Sequence, residues 1–238
     1  MKLKVTALCS DLLDIGADRG NEMCLKYRCE KRGIVFEKTD CYSGEALPEE
    51  TDLIYMGTGS DLKLKQALTD LRKIALPLKK LISDGAVCFF SMDSAMLLAE
   101  KTAFYEPEYA DGLGIIAADF IREADKKAPA YTVTGVDLDG EKIEIAGFKN
   151  NRFCIKILKS PLGNVKLSED KTLEYEGFMS ERVIATGLSG PLLPKNPEFA
   201  DYLIKKSLEK NYGKQILAPL DDELELKAKR EMISLINK

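Results

Sequence analysis

The stretch Asp84 to Leu98, DGAVCFFSMDSAMLL, joins an apolar run (Ala86 to Phe90) to a polar tip, Ser91-Met92-Asp93-Ser94. A second apolar run, Ala95 to Leu98, follows. That order predicts a buried strand, a tight turn and a helix start. In many α/β enzymes such a turn exposes a nucleophile at the carboxyl end of the sheet, backed by the helix N-terminus. The residue types here do not suit that chemistry. Ser94 as a nucleophile needs a base, and the chain has no histidine. That absence removes every Cys-His and Ser-His-Asp mechanism within the chain, and every His-containing metal site. A Lys, Tyr or carboxylate base remains open. Asp93 and Ser94 read first as N-caps of the following helix. Cys88, inside the strand, reads as packing.

Two other groups have types and spacing worth testing. Gly57-Thr58-Gly59 lies between a predicted strand and a predicted helix, where backbone N–H groups can face an anion or an oxyanion. It is not a full GxGxxG, since position 62 is leucine, and a plain tight turn is the other reading. Asp11, Asp14, Asp18 and Arg19 form a polar cluster just after the first predicted strand, where α/β proteins bind ligands. A salt-bridged, solvated loop accounts for that cluster equally well. The six cysteines (Cys9, Cys24, Cys29, Cys41, Cys88 and Cys154) include no CxxC pair, so neither a zinc site nor a disulfide framework is expected. No metal or cofactor site follows from these residues.

The elements that must position these groups alternate. Lys2 to Leu8 predicts a first strand, about Asn21 to Arg32 a helix stopped by Gly33, and Ile34-Val35-Phe36 the start of a second strand. Thr51 to Met56 predicts a third strand. Leu62 to Ser83 has helical spacing at Leu64, Leu68, Leu71, Ala75, Leu78 and Ile82, with a kink or division at Pro77. Strands alternating with helices predict a parallel sheet covered on both faces. After Gly112-Leu113-Gly114-Ile115 the pattern changes to short β-rich runs: Tyr131 to Val136, Lys142 to Phe148, Phe153 to Leu158 and Arg182 to Ala185. Asp139-Gly140 sits between the first two, so hairpins or an antiparallel extension are expected. Pro197 to Asn211 and the stretch from Leu220 to about Ile236 predict two last helices. Pro197 suits a first helical turn.

Composition bounds the function. The 238 residues are within reach of one domain spanning 1–238, and 45% apolar with 31% charged residues can bury a core. With 35 basic against 39 acidic residues the net charge is −4, which gives no basic excess for nucleic acid. No apolar run approaches the roughly 18 residues of a membrane span. The opening MKLKVTALCSD is too short for a signal-peptide core, and Leu8 before Cys9 argues against lipoprotein processing, so a cytoplasmic protein is expected.

Together these segments resemble the GatD family, the glutaminase subunits of lipid II isoglutaminyl synthase. These are class I glutamine amidotransferases of CobB/CobQ type that pair with a Mur-ligase-like subunit, MurT. Asp11-Leu12-Leu13 with Asp18-Arg19-Gly20-Asn21 is similar to the family's opening PDLLNLYGDRGN, and Arg32-Gly33-Ile34 continues it. Gly57 to Asp61 stands where the family has GGGQD, the oxyanion loop. Gly112 to Ile115 matches GLGI, and Gly147 to Asn151 resembles GFENH. Gly190 to Pro197 is the family's GPLLPKNP, intact, and Leu220-Asp221-Asp222 through Ala228 resembles the C-terminal LDDSLE…AH. The resemblance implies a flavodoxin-like class I glutamine amidotransferase fold: a central, mostly parallel sheet with helices on both faces and an antiparallel β extension.

The departures fall on the chemistry. The family's elbow, AICGGYQLLG, places its catalytic cysteine on Met92 and its two glycines on Asp93 and Ser94. The catalytic histidine before GPLLPKNP falls on Ser189. The histidine of GFENH falls on Asn151, and that of the C-terminal helix on Lys229. A thioether is not a thiolate nucleophile, and a serine hydroxyl does not replace imidazole as a base. The resemblance therefore implies a degenerate amidotransferase subunit without a catalytic residue. Met92 and Ser189 occupy the lost positions, and a MurT-type ligase is the expected partner in peptidoglycan amidation. Gly57, Thr58, Gly59, Asp93 and Ser94 remain the candidates for binding a ligand. The alternative is a small-molecule sensor, or a hydrolase with new chemistry at the old glutaminase pocket that uses Ser94, Asp93, Tyr55 or a lysine.

Overall fold

The computed structural model describes residues 1–13, 18–105, 108–122, 129–150, 153–155 and 159–236. In chain order the strands of the first half are β1 (Lys2–Leu8), β2 (Val35–Cys41), β3 (Leu53–Met56), β4 (Val87–Ser91), β5 (Lys101–Tyr105), β6 (Glu108–Asp111) and β7 (Asp119–Arg122). The second half contributes β8 (Ala130–Leu138), β9 (Glu141–Lys149), β10 (Phe153–Ile155), β11 (Gly163–Ser168), β12 (Tyr175–Glu176), β13 (Phe178–Met179), β14 (Val183–Thr186) and β15 (Leu188–Ser189). The helices are α1 (Asp18–Glu30), α2 (Asp61–Lys73), α3 (Ala75–Ser83), α4 (Pro197–Tyr212) and α5 (Glu223–Ile236).

Six strands form the central sheet in the order β13-β14-β4-β3-β1-β2, parallel except at the β13–β14 pair. β3 and β4 are buried along their whole length, so they read as continuous apolar runs rather than alternating ones. Their two faces feed separate cores. One contains Ile54, Met56, Cys88 and Phe90 under α2 and α3. The other contains Leu53, Tyr55, Val87 and Phe89 under α1 and α4. Phe89 meets Phe199 of α4 edge-on, with ring centroids 5.9 Å apart. Burying each such phenylalanine contributes about 1.5–3 kcal/mol.

The expected antiparallel extension is present as two further sheets. β12-β11-β8-β9-β15 is antiparallel throughout, and β8 and β9 join in a hairpin at Asp139-Gly140. Both turn residues have positive φ (55° and 98°), the geometry whose twist matches the flanking strands. β10-β7-β5-β6 is mixed, because β5 and β7 run parallel. The sequence reading contains no counterpart of β5, β6, β7 or β11. The predicted helix at Leu62 to Ser83 does divide, but at Ile74 rather than at Pro77. Pro77 is the third residue of α3, where its missing N–H has no intrahelical acceptor to lose. No helix among the described residues is long and apolar enough to cross a membrane.

Candidate functional site and the relatives of the chain

β4 ends at Ser91, and the chain turns at once into a 3-10 helix, Met92–Leu98. The elbow is therefore real, but the tight helix differs from the expected helix start at Asp93 or Ser94. Ser94 is inside the turn and does not cap it. Its buried hydroxyl donates back to the Ser91 carbonyl at 2.7 Å and lies 3.2 Å from the Met56 carbonyl. That second contact ties the elbow to the end of β3, at the residue before Gly57. Ala95, Met96, Leu97, Leu98 and Ala99 are fully or almost fully buried in the core under α2. Met92 has its backbone in the turn, while its side chain lies outside the described residues, as do Asn151, Asp14 and the side chain of Asp18.

Gly59 is explained by packing. A Cβ there would lie 2.8 Å from a Leu13 methyl and 2.9 Å from the Leu12 carbonyl oxygen, so only glycine lets the β3–α2 loop approach the β1–α1 loop this closely. Thr58 is buried, and Gly57 opens onto a cleft on the β1 side of β3.

Ser189 sits three residues beyond Thr186, which pairs with Ser91 in the parallel β14–β4 register. The register thus places Ser189 and Met92 beyond the carboxyl ends of neighbouring strands. The Ser189 hydroxyl donates to the Phe148 carbonyl at 2.9 Å across the β15–β9 pair. Nearby, the buried carboxylate of Glu176 accepts from the Thr186 hydroxyl and the Gly187 N–H, both at 2.7 Å. Among the described residues, burial raises the thiols away from the reactive thiolate form. Burial pushes Cys9, Cys24 and Cys29 up to about 12, and Cys88 and Cys41 also rise for the same reason.

The segments that carried the resemblance make contact with one another. A Cβ on Gly20 would lie 2.6 Å from Pro191 Cγ, so the start of α1 is pressed against the 190–197 segment. Asn21 Oδ1 accepts from Leu193 N at 2.8 Å. Asn196, fully buried, accepts from Ala146 N at 2.8 Å and donates to the Ala146 and Leu192 carbonyls at 2.9 and 2.7 Å. Arg28, with 2% of its side chain exposed, forms paired hydrogen bonds to both Asp201 and Asp222, and Arg32 also grips Asp201. Charged groups buried this far persist only when paired and hydrogen-bonded.

No family model matches the sequence. The chain is 30% identical to the GatD subunit of lipid II isoglutaminyl synthase (glutamine-hydrolyzing) from Staphylococcus aureus, over 100% of this chain and 97% of that protein. The chain belongs to the GatD family. The GatD subunit from Streptococcus pneumoniae is 23% identical over 94% of this chain and 87% of its own length. Among solved structures, a Thermotoga maritima glutamine amidotransferase superposes with a TM-score of 0.53 at 15% identity, covering 99% of this chain and 94% of that one. A second glutamine amidotransferase gives 0.53 at 17% identity over 85% and 98%. The glutamine amidotransferase fold expected from the sequence is thus the fold of this GatD-family chain.

Proposed function

We propose that this GatD-family chain is a non-hydrolysing subunit that binds a Mur-ligase-like, MurT-type protein in cytoplasmic peptidoglycan amidation. One observation carries the reading: neither position that the family's chemistry needs holds a group able to perform it. Glutamine hydrolysis requires a thiolate to attack the amide, a base to take and return its proton, and N–H groups that hold the developing oxyanion. The chain supplies methionine at position 92 and a serine at 189 whose proton is committed to the Phe148 carbonyl. Asp93 and Ser94 replace the glycines of the family's elbow, and Met96 and Leu97 fill the core behind them. With zero histidines no other residue type in the chain substitutes directly as an imidazole base.

The scaffold is nonetheless locked together by Asn196, Asn21 and the Arg28–Asp201–Asp222 cluster, which supports a role that needs the shape. The GatD relatives are named as subunits of a synthase, and the same arrangement is proposed here. Co-expression with the Mur-ligase-like protein of the same genome tests it. A complex that survives size-exclusion chromatography is expected, and a strictly monomeric chain in its presence would overturn the proposal.

A further inference from the structure

α5 packs on the sheet β12-β11-β8-β9-β15 by one side only. Met232 is buried there with Val133 and Ala146, and Ile233 and Ile236 pack against the same cluster. Lys229, also buried, pairs with Glu198 at 3.3 Å. These residues fix the inner side of the helix, and its period then fixes the outer one. Leu224, Ala228, Glu231 and Leu235 follow one another at steps of four, three and four, so they form one stripe away from the sheet. Leu224 is 76% and Leu235 54% exposed, and Ala228 and Glu231 are exposed between them. Alternating steps of four and three are the spacing by which one helix seats along another.

The charges beside the stripe are uncommitted. Lys227 and Glu231 make no ion pair among the described residues. They stand four apart on one helix, but with the lysine first, the weaker order for a pair within a helix. Each is therefore open to a partner of opposite sign on a neighbouring molecule.

The stripe matches its own reverse. With two copies of α5 laid antiparallel, Leu224 of one copy faces Leu235 of the other at both ends. In the middle Glu231 of one copy seats on Ala228 of the other, beside its Lys227, and the small alanine side chain lets the helix axes approach. A parallel pairing would instead set Glu231 against Glu231 and Lys227 against Lys227. We propose that the outer face of α5 is a self-association surface, on which a second copy of this chain docks antiparallel about a two-fold axis. Such an interface is isologous, so every contact occurs twice. The helix is roughly 21 Å long, which makes the contact small and places the expected Kd at about 10–100 µM. The proposal stands independently of the subunit reading, because it concerns the chain's contact with itself and needs no other protein.

The test is sedimentation velocity of the full-length chain, with a dimer expected to fill as the concentration rises from about 5 to about 500 µM. Leu235→Asp should weaken the association by about tenfold or more, and the melting temperature should not fall, because the side chain is exposed. Charge reversal tests the register. A chain with Lys227→Glu and a chain with Glu231→Lys each set four like charges across the seam, so each alone should remain monomeric. Mixed in equal amounts they bring opposite signs together at both crossings, and should associate at least about tenfold more tightly than either alone. A parent chain still monomeric at the highest concentration would overturn the proposal. So would a dimer that Leu235→Asp leaves unchanged, or a mixture no tighter than its components. Loss of a Mur-ligase-like protein from the Leu235→Asp chain, with self-association intact, would assign the stripe to that protein and overturn the proposal as well.

Discussion

Two regions of this molecule are built from segments that resemble the GatD family, and they have been treated differently. Around Asn196 and Arg28, side chains of the matching segments and their neighbours hold elements together. Around the elbow the chemistry-bearing positions hold methionine, aspartate and serine, and the turn beyond them is packed with apolar groups. The contrast teaches that a motif such as GPLLPKNP reports on assembly of the fold. Its Asn196 satisfies a strand edge and its own loop, and its Pro191 seats α1. The positions where the resemblance places the family's chemistry, 92 and 189, lie in other segments and take no part in that lock.

The contrast can be broken by substitution, and the largest effect is expected in the ion cluster. Arg28→Met removes the charge that pairs with both Asp201 and Asp222, and should cost about 3–5 kcal/mol in urea unfolding. Asn196→Ala leaves the Ala146 N–H and C=O without their side-chain partner in a dry core, and should cost about 1–3 kcal/mol for those unmet groups. Ser94→Ala at the elbow removes a hydroxyl that only donates back to carbonyls, and should cost about 0.5–1.5 kcal/mol. An elbow substitution as damaging as Arg28→Met would erase the distinction between the two regions.

A subtler difference lies in pH dependence. Burial holds the Glu176 carboxyl above the ordinary carboxylate range, although the hydrogen bonds from Thr186 and Gly187 pull the other way. The folded state therefore favours the protonated form. Its contribution to stability is complete below the unfolded pKa and is lost as pH rises through the folded one. Glu176→Gln cannot ionise, so its melting temperature relative to the parent chain should climb from about pH 4 toward neutrality. A difference that stays constant across that range would mean that Glu176 ionises as readily in the fold as outside it. Smallest of all should be the chemical gain from Met92→Cys with Ser189→His. Asp93 and Ser94 remain in place of glycines, so little glutamine hydrolysis is expected in an ammonia-release assay.

Much of this was legible in the sequence, for reasons that differ by region. β1 matches its expected span residue for residue, and the elbow strand is displaced by one, because buried parallel strands are marked by unbroken apolar runs. β5, β6 and β7 left no comparable signal. They are short and polar, and are held by pairing with one another rather than by a period of their own. Ser94 was misread as a cap because a Ser at a helix start usually accepts from the backbone. In a 3-10 turn directly after a strand its hydroxyl instead finds two carbonyls. Of the cleft, Asp11 and Arg19 were visible as a polar cluster. Lys38 and Asp40 were not, because alternating charges on a strand look the same whether they face water or a crevice.

The central claim is that the chain keeps the amidotransferase fold without the reaction. Glutamate release from glutamine, measured for the pure chain alone and together with its Mur-ligase-like partner, tests that most directly. The account predicts a rate no greater than that of glutamine in buffer. Release that rises in proportion to the protein, and persists after contaminating glutaminases have been removed, would contradict it.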